Sequence, residues 1–301
     1  MTSGCRVRAG LFFAVLAGLC GCGVKTAAPV GYFGPTQTID QVIAGVNANN
    51  SQIKSLWAHV GYFEATAVDA KTGKTSFVNA NQGTLLYQAD DQLRLKCNKD
   101  VADLFDLGSN GKTFWFRQIP DPPTFWWGDL SQVHSASTEQ IPVRPDLILD
   151  VLGVLSIDQN LTDDPAPVMR FNNDDDSYMI VWQTKLADRW VAQREIWYDR
   201  ATLQPQRVLL FDENGRVVLR AKLEKFVPVA VDGEDRSKWP RTPTILLFFL
   251  PDRQTHIRIE LQDVALQHNG FPKPVSFRMP DPAVLAGAGV KVINVDEDSN
   301  R

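Results

Sequence analysis

Long apolar runs are almost absent from this 301-residue chain. The one continuous stretch, Leu11 to Leu19, holds nine residues, about half of what a bilayer-spanning helix needs. A polytopic helical membrane protein is thereby excluded. An excess of basic charge is also missing, with 31 Lys and Arg against 35 Asp and Glu and a formal net charge of −4. Phosphate backbones are held by concentrated basic surface, so nucleic acid is excluded as the main partner. Cysteine is scarce: Cys5, Cys20 and Cys22 crowd the start, and Cys97 stands alone after them. A lone thiol closes no internal disulfide, so the core has to hold the fold. Cys97 reads as a small buried hydrophobe.

Catalytic signatures are missing as well. The chain has no His-Glu-x-x-His, no Gly-x-Ser-x-Gly, no Gly-rich phosphate loop and no Cys-x-x-Cys. Its four histidines, His59, His134, His256 and His268, are scattered without metal-ligand spacing. The cluster Asn172-Asn173-Asp174-Asp175-Asp176 lacks the alternating ligands and distal Glu of an EF-hand loop and reads as a solvated turn. The expectation is a protein that is not an enzyme, with no catalytic residue, metal ligand or cofactor.

What is present begins with an address. Arg6 and Arg8 precede the apolar run, the pattern of a secretory signal peptide. Leu19-Cys20-Gly21-Cys22 follows and resembles the bacterial lipobox, in which a small residue precedes a cysteine that becomes lipidated. Cys22 fits best, with Leu19 three positions before it and Gly21 immediately before it. This makes residues 1–21 a lipoprotein signal peptide and Cys22 the lipid anchor. One acyl chain holds a protein only marginally, at about 0.8 kcal/mol per buried methylene, so the several chains of a lipoprotein are what anchor it. Gly23, rather than Asp, resembles the signal for the outer membrane. Residues 22–37 read as a lipidated tether.

Beyond the tether the periodicity carries the information. Thr38-x-x-Gln41 is a capping-box pattern, and Ile39, Val42, Ile43, Val46, Ile53, Leu56 and Trp57 recur at helical spacing. A helix is expected over residues 38–57, weakened by Asn47, Asn49 and Asn50. After Trp57 the period becomes two, and residues 58–88 read as a long hairpin about Lys71-Thr72-Gly73-Lys74. Further strands are expected at 92–98, 112–118, 168–172, 178–185, 190–198, 206–211, 216–226, 244–250, 256–267 and 275–279. A second helix starts at Pro145 and stops at Gly153. Residues 232–243 read as a polar insertion, and residues 283–301 as a flexible tail. Clean alternation, as in Ile257, Ile259 and Leu261, is the mark of a one-sided antiparallel sheet.

Eight Trp and 16 Phe supply large apolar side chains to these strands. Most pack a core. A concave sheet face larger than two helices can fill would leave an apolar cavity. The candidates to line it are Leu85, Tyr87, Leu93, Leu95, Phe114, Phe116, Ile180, Trp182, Ile196, Tyr198, Leu247 and Phe249. Ile39, Val42, Ile43 and Val46 are the candidate lid. Phe125, Trp126 and Trp127, after Pro122-Pro123, are candidates for a loop that touches the membrane or gates a ligand, the commoner alternative being a strand end tucked into the core.

The order of elements resembles the LolA/LolB lipoprotein-carrier superfamily. The resemblance is carried by the helix at 38–57, by Gly83-Thr84-Leu85-Leu86-Tyr87 with Gln92-Leu93-Arg94-Leu95, and by Ser109-Asn110-Gly111-Lys112-Thr113-Phe114-Trp115. It continues in Pro205-Gln206-Arg207-Val208 and Asp212-Glu213-Asn214-Gly215. It implies a mainly β fold with some helix: a curved antiparallel half-barrel, an unclosed β-barrel, under a helical lid, over residues 38–282 as a single domain. It further implies binding of lipid or lipoprotein acyl chains, membrane attachment through Cys22 and a periplasmic carrier protein as partner. The chain departs from the family by extra length around 121–145 and 232–243. The same fold also serves regulation in RseB-type sensors, which makes a structural or sensory envelope module the alternative.

Overall fold

The computed structural model describes residues 35–68, 72–89, 91–100, 102–119, 122–133, 141 and 144–298. The signal segment, Cys22 and most of the tether lie outside these residues, as does His134.

The first helix, α1 (Ile39–Asn50), starts as its sequence dictates. The Thr38 hydroxyl accepts from the Gln41 N–H, and the Gln41 side chain accepts from the Thr38 N–H at 2.9 Å, closing a capping box. It stops earlier than periodicity alone predicts. Asn47 and Asn50 donate to the carbonyls of Ile157 and Leu155, each at 2.7 Å, and Asn49 donates to that of Arg241 at 3.2 Å. Asn is a weak helix former because its amide competes for backbone partners, and here those partners lie on other segments. Leu56 and Trp57, which continue the helical spacing, belong instead to the first strand.

The strands are β1 (Ser55–Val68), β2 (Thr75–Ala80), β3 (Gln82–Gln88), β4 (Gln92–Lys99), β5 (Ala102–Asn110), β6 (Thr113–Gln118) and β7 (Thr124–Asp129). After α2 (Pro145–Leu152) come β8 (Ala166–Asn172), β9 (Ser177–Leu186), β10 (Arg189–Asp199), β11 (Pro205–Phe211) and β12 (Val217–Pro228). Then follow β13 (Arg241–Leu250), β14 (Thr255–Ala265), α3 (Pro282–Gly287), β15 (Lys291–Asn294) and α4 (Val295–Asp298). They form one sheet in the order β15-β7-β6-β5-β4-β3-β1-β14-β13-β12-β11-β10-β9-β8, with β2 pairing the far half of β1. Neighbours are antiparallel except β15 and β7, which are parallel. The end strands β15 and β8 do not pair, so the sheet is an unclosed half-barrel, the architecture expected.

Curvature shows in what α2 touches. This eight-residue helix packs against β13 on one side and against β4 and β5 on the other, across the intervening β3, β1 and β14. Pro145 opens it, and Gly153 ends it in the left-handed region at φ 72°. A Cβ at Gly153 would lie 2.9 Å from the Pro205 ring, so glycine is required there twice over.

Four stretches differ from expectation. β5 fills a gap in which no strand was read. Residues 275–279, read as a strand, instead carry a 3-10 turn at Pro274–Phe277, because Pro272 and Pro274 remove ladder donors. The domain, expected to end at 282, continues through α3 and β15 onto β7. The 232–243 insertion holds a 3-10 turn, Arg236–Lys238, capped by the Asp235 carboxylate, and the first residues of β13.

Candidate functional site

The concave face is one continuous apolar cluster. Leu85, Tyr87, Leu93, Leu95, Phe114, Phe116, Ile180, Trp182, Ile196 and Tyr198 all lie in it, none more than 7% exposed. Val42, Ile43 and Val46 of α1 are buried in the same cluster, and Ile39 packs half-buried at its margin. From α2 come Leu147, Ile148, Leu149, Val151 and Leu152. Cys97 is buried among them, and desolvation pushes its thiol far above its ordinary range.

Two candidates are misplaced by the sequence reading. Leu247 and Phe249 face outward, opposite Lys222 with Arg258 and Arg220 with His256 respectively. Their neighbours Leu246, Phe248 and Leu250 face the core. Both faces of β13 are apolar, so a period of two could not choose between them; the register against Leu223 and Ala221 decides. Phe125, Trp126 and Trp127 are likewise no exposed loop. They form the middle of β7, with Phe125 fully buried on the outer face and Trp126 beside Phe116 on the inner one, ring centroids 5.8 Å apart.

Among the described residues the concave face is packed by buried side chains. A recess of about 20 Å³ lies beside β10 and β11, between them and the α1 and α2 ends, a volume that suits about one water. Its polar lining is Asn50, Asp150, Ser156, Arg194 and Tyr198. Arg194 Nη1 donates to Asp150 Oδ1 at 3.3 Å, with the two side chains 27% and 29% exposed. The same guanidinium lies 4.2 Å over the Trp182 ring. Its Nε is buried without a hydrogen-bond partner. Burial pushes the Tyr198 hydroxyl far above its ordinary range, against the opposing charge of Arg194.

The sequence reading did not single out Arg194 or Asp150. One signal was there: Arg194 stands two residues before Ile196 and four before Tyr198, so alternation places a cation on the face that they share. Among the described residues no three His, Cys, Asp or Glu side chains group closely enough to hold a metal ion, and no helix is long and apolar enough to cross a membrane.

The geometry is thus a curved sheet, an apolar inner face and two helices seated on it. The fold is similar to that of a LolA superfamily protein. That protein, from Nitrosomonas europaea, matches at 16% identity over 81% of this chain and 99% of its own, with a TM-score of 0.47. A DUF1329 family protein from Desulfovibrio piger matches at 12% identity over 79% of this chain and 97% of its own, with a TM-score of 0.42. A weaker match, at 12% identity with a TM-score of 0.26, is to the complex of the CwlD amidase and the GerS lipoprotein from Clostridioides difficile, over 65% of this chain and 99% of that one. Neither a protein-family model nor a curated protein matches the chain.

Proposed function

We propose that this chain is a cell-envelope lipoprotein, anchored in the outer membrane through Cys22 and facing the periplasm, that binds acyl chains of a lipid or lipoprotein under α1 and α2 for transport or insertion. The observation that carries the reading is the way the inner face is closed. α1 covers it with three fully buried side chains, Val42, Ile43 and Val46. Exposing three such side chains costs about 6 kcal/mol, whereas an acyl chain of about 14 methylenes leaving water gains about 11 kcal/mol. A chain arriving from water, or handed over by a soluble periplasmic carrier, therefore displaces the helix. A bilayer solvates the same chain about as well as the cavity does, so release goes to the membrane that holds the anchor.

One observation favours a second reading. Among the described residues the inner face is packed by the protein's own side chains, as it would be in a structural or sensory module that binds a protein partner through the same fold. Locking α1 separates the two. A Cβ at Gly45 would lie 2.3 Å from Leu203 Cδ1, so Gly45→Cys with Leu203→Cys, in a Cys97→Ala background, ties the helix to the turn between β10 and β11. The measurement is native mass spectrometry of detergent-free mature protein with added fatty acid. Loading that is lost on oxidation and restored by reduction is the expected result. Loading that ignores the cross-link sinks the lid reading, and no loading in either state leaves the module.

A further inference from the structure

An acyl ligand has two ends with opposite requirements. Its hydrocarbon belongs in the core, and its head belongs where polar groups converge at the margin. The recess at Arg194 is such a margin: Ile196 and Tyr198 lead from it into the apolar cluster, while Arg194 and Asp150 remain partly open to water.

We propose that Arg194 is the head-group subsite of the acyl ligand, that the ligand is a fatty carboxylate, and that Asp150 of α2 stands in for the ligand's carboxylate in the closed protein. This rests on the acyl-chain reading above and narrows it. Three features of the site carry it. The guanidinium is held from the sheet side by its stack on Trp182, so it stays in place when α2 moves away. Asp150 meets it at a single nitrogen, Nη1, at a long 3.3 Å, while Nε stays buried and unpartnered. A guanidinium fork is completed by a carboxylate that takes Nε and an Nη together, a geometry Asp150 does not reach from α2.

Charge balance narrows the head further. When α2 lifts, Asp150 leaves with it, and Arg194 is left partly buried without its counter-ion. A monoanionic head restores the pair one for one. A hydroxyl or ester does not, and it leaves a desolvated cation uncompensated.

The test uses delipidated mature protein and three probes with the same hydrocarbon: palmitate, hexadecanol and hexadecyl phosphate, each titrated by displacement of a fluorescent fatty acid. The readout is the ratio of acid to alcohol affinity. Wild type is expected to favour palmitate over hexadecanol by about tenfold, as a charge-assisted pair would give. In Arg194→Gln the ratio falls toward one, and in Arg194→Lys part of it returns. Asp150→Asn removes the internal competitor from the closed protein and is expected to tighten palmitate and hexadecanol together, leaving their ratio at the wild-type value. Hexadecanol binding with a ratio indifferent to Arg194 overturns this assignment and leaves acyl binding standing. Tighter binding of the phosphate overturns the carboxylate. Failure of all three probes overturns the acyl-chain reading and this inference with it.

Discussion

The outer face of the sheet carries aromatic side chains at both ends, and the two ends cover them differently. Over β4 to β7, the chain returns after β14 and lays a second apolar layer on the sheet. Trp115 and Phe125 are fully buried there against Leu285, with Val290, Val292 and Met279 around them. Beneath that layer Asp106 accepts from Arg94 Nε and Nη2 at 3.1 and 2.7 Å and from Trp115 Nε1 at 3.4 Å, and Arg94 also reaches the Ser276 carbonyl. A Cβ at Gly108 would lie 2.4 Å from the Trp115 ring, so the indole lies flat on bare backbone. Over β10 to β13 none of the described residues lays such a layer. Trp197 and Phe249 are covered by guanidinium groups, Arg207 at 4.6 Å and Arg220 at 4.8 Å from the ring centroids. The first end is a second core; the second is a solvated surface whose aromatics are shielded by long polar side chains.

That contrast can be broken by substitution. Phe125→Ala opens a cavity in a dry layer and is expected to cost about 4 kcal/mol, read as a lower urea midpoint with unchanged slope. If Trp197→Ala costs as much, the two ends are equivalent and the contrast is false. Asp106→Ala strands the Arg94 guanidinium under the returning chain and is expected to cost about 3 kcal/mol. Recovery of that loss in an Arg94→Leu, Asp106→Leu double variant would place the cost in the uncompensated charge. Arg207→Ala is the smallest change, at about 0.5 kcal/mol, since an exposed cation–π contact and an exposed ion pair to Asp175 are both weak. Its effect should shrink in high salt, and a salt-independent loss above that size would mean Trp197 is more dehydrated than its surface position implies.

The same contrast explains how far the fold was legible. Where one face is polar, alternation reads true: Leu93, Leu95 and Cys97 point inward, and Arg94 and Lys96 point outward. The hairpin at 58–88, the capping box at Thr38 and the helix from Pro145 to Gly153 were readable for similarly local reasons. Where both faces are dry, the pattern goes silent. Phe125-Trp126-Trp127 left a loop open beside the commoner strand-end reading because no polar residue marked an outer side, and Leu247 and Phe249 were set on the wrong face because Leu246 and Phe248 were equally apolar. Residues 283–298 looked like a tail because their partners, Trp115 and Phe125, lie far away in sequence. Arg194 escaped notice for a different reason: it stands in line with Ile196 and Tyr198 on the inner face, and hydrophobic patterning passes over a cation there.

The strand order has a consequence for how the chain reaches this state. β3 to β7 run as one meander and β8 to β14 as another, each built from neighbours in sequence. The two are joined at β1 and β14, where Trp57 lies opposite Ala265 and stacks on His268 at 3.7 Å. Each meander can zip by short, inexpensive loop closures, while the seam must close a loop of nearly the whole domain. The middle of the sheet is therefore expected to be the last part to form. Until it does, the protein is two separate β-sheets, each with an open edge and an uncovered apolar face.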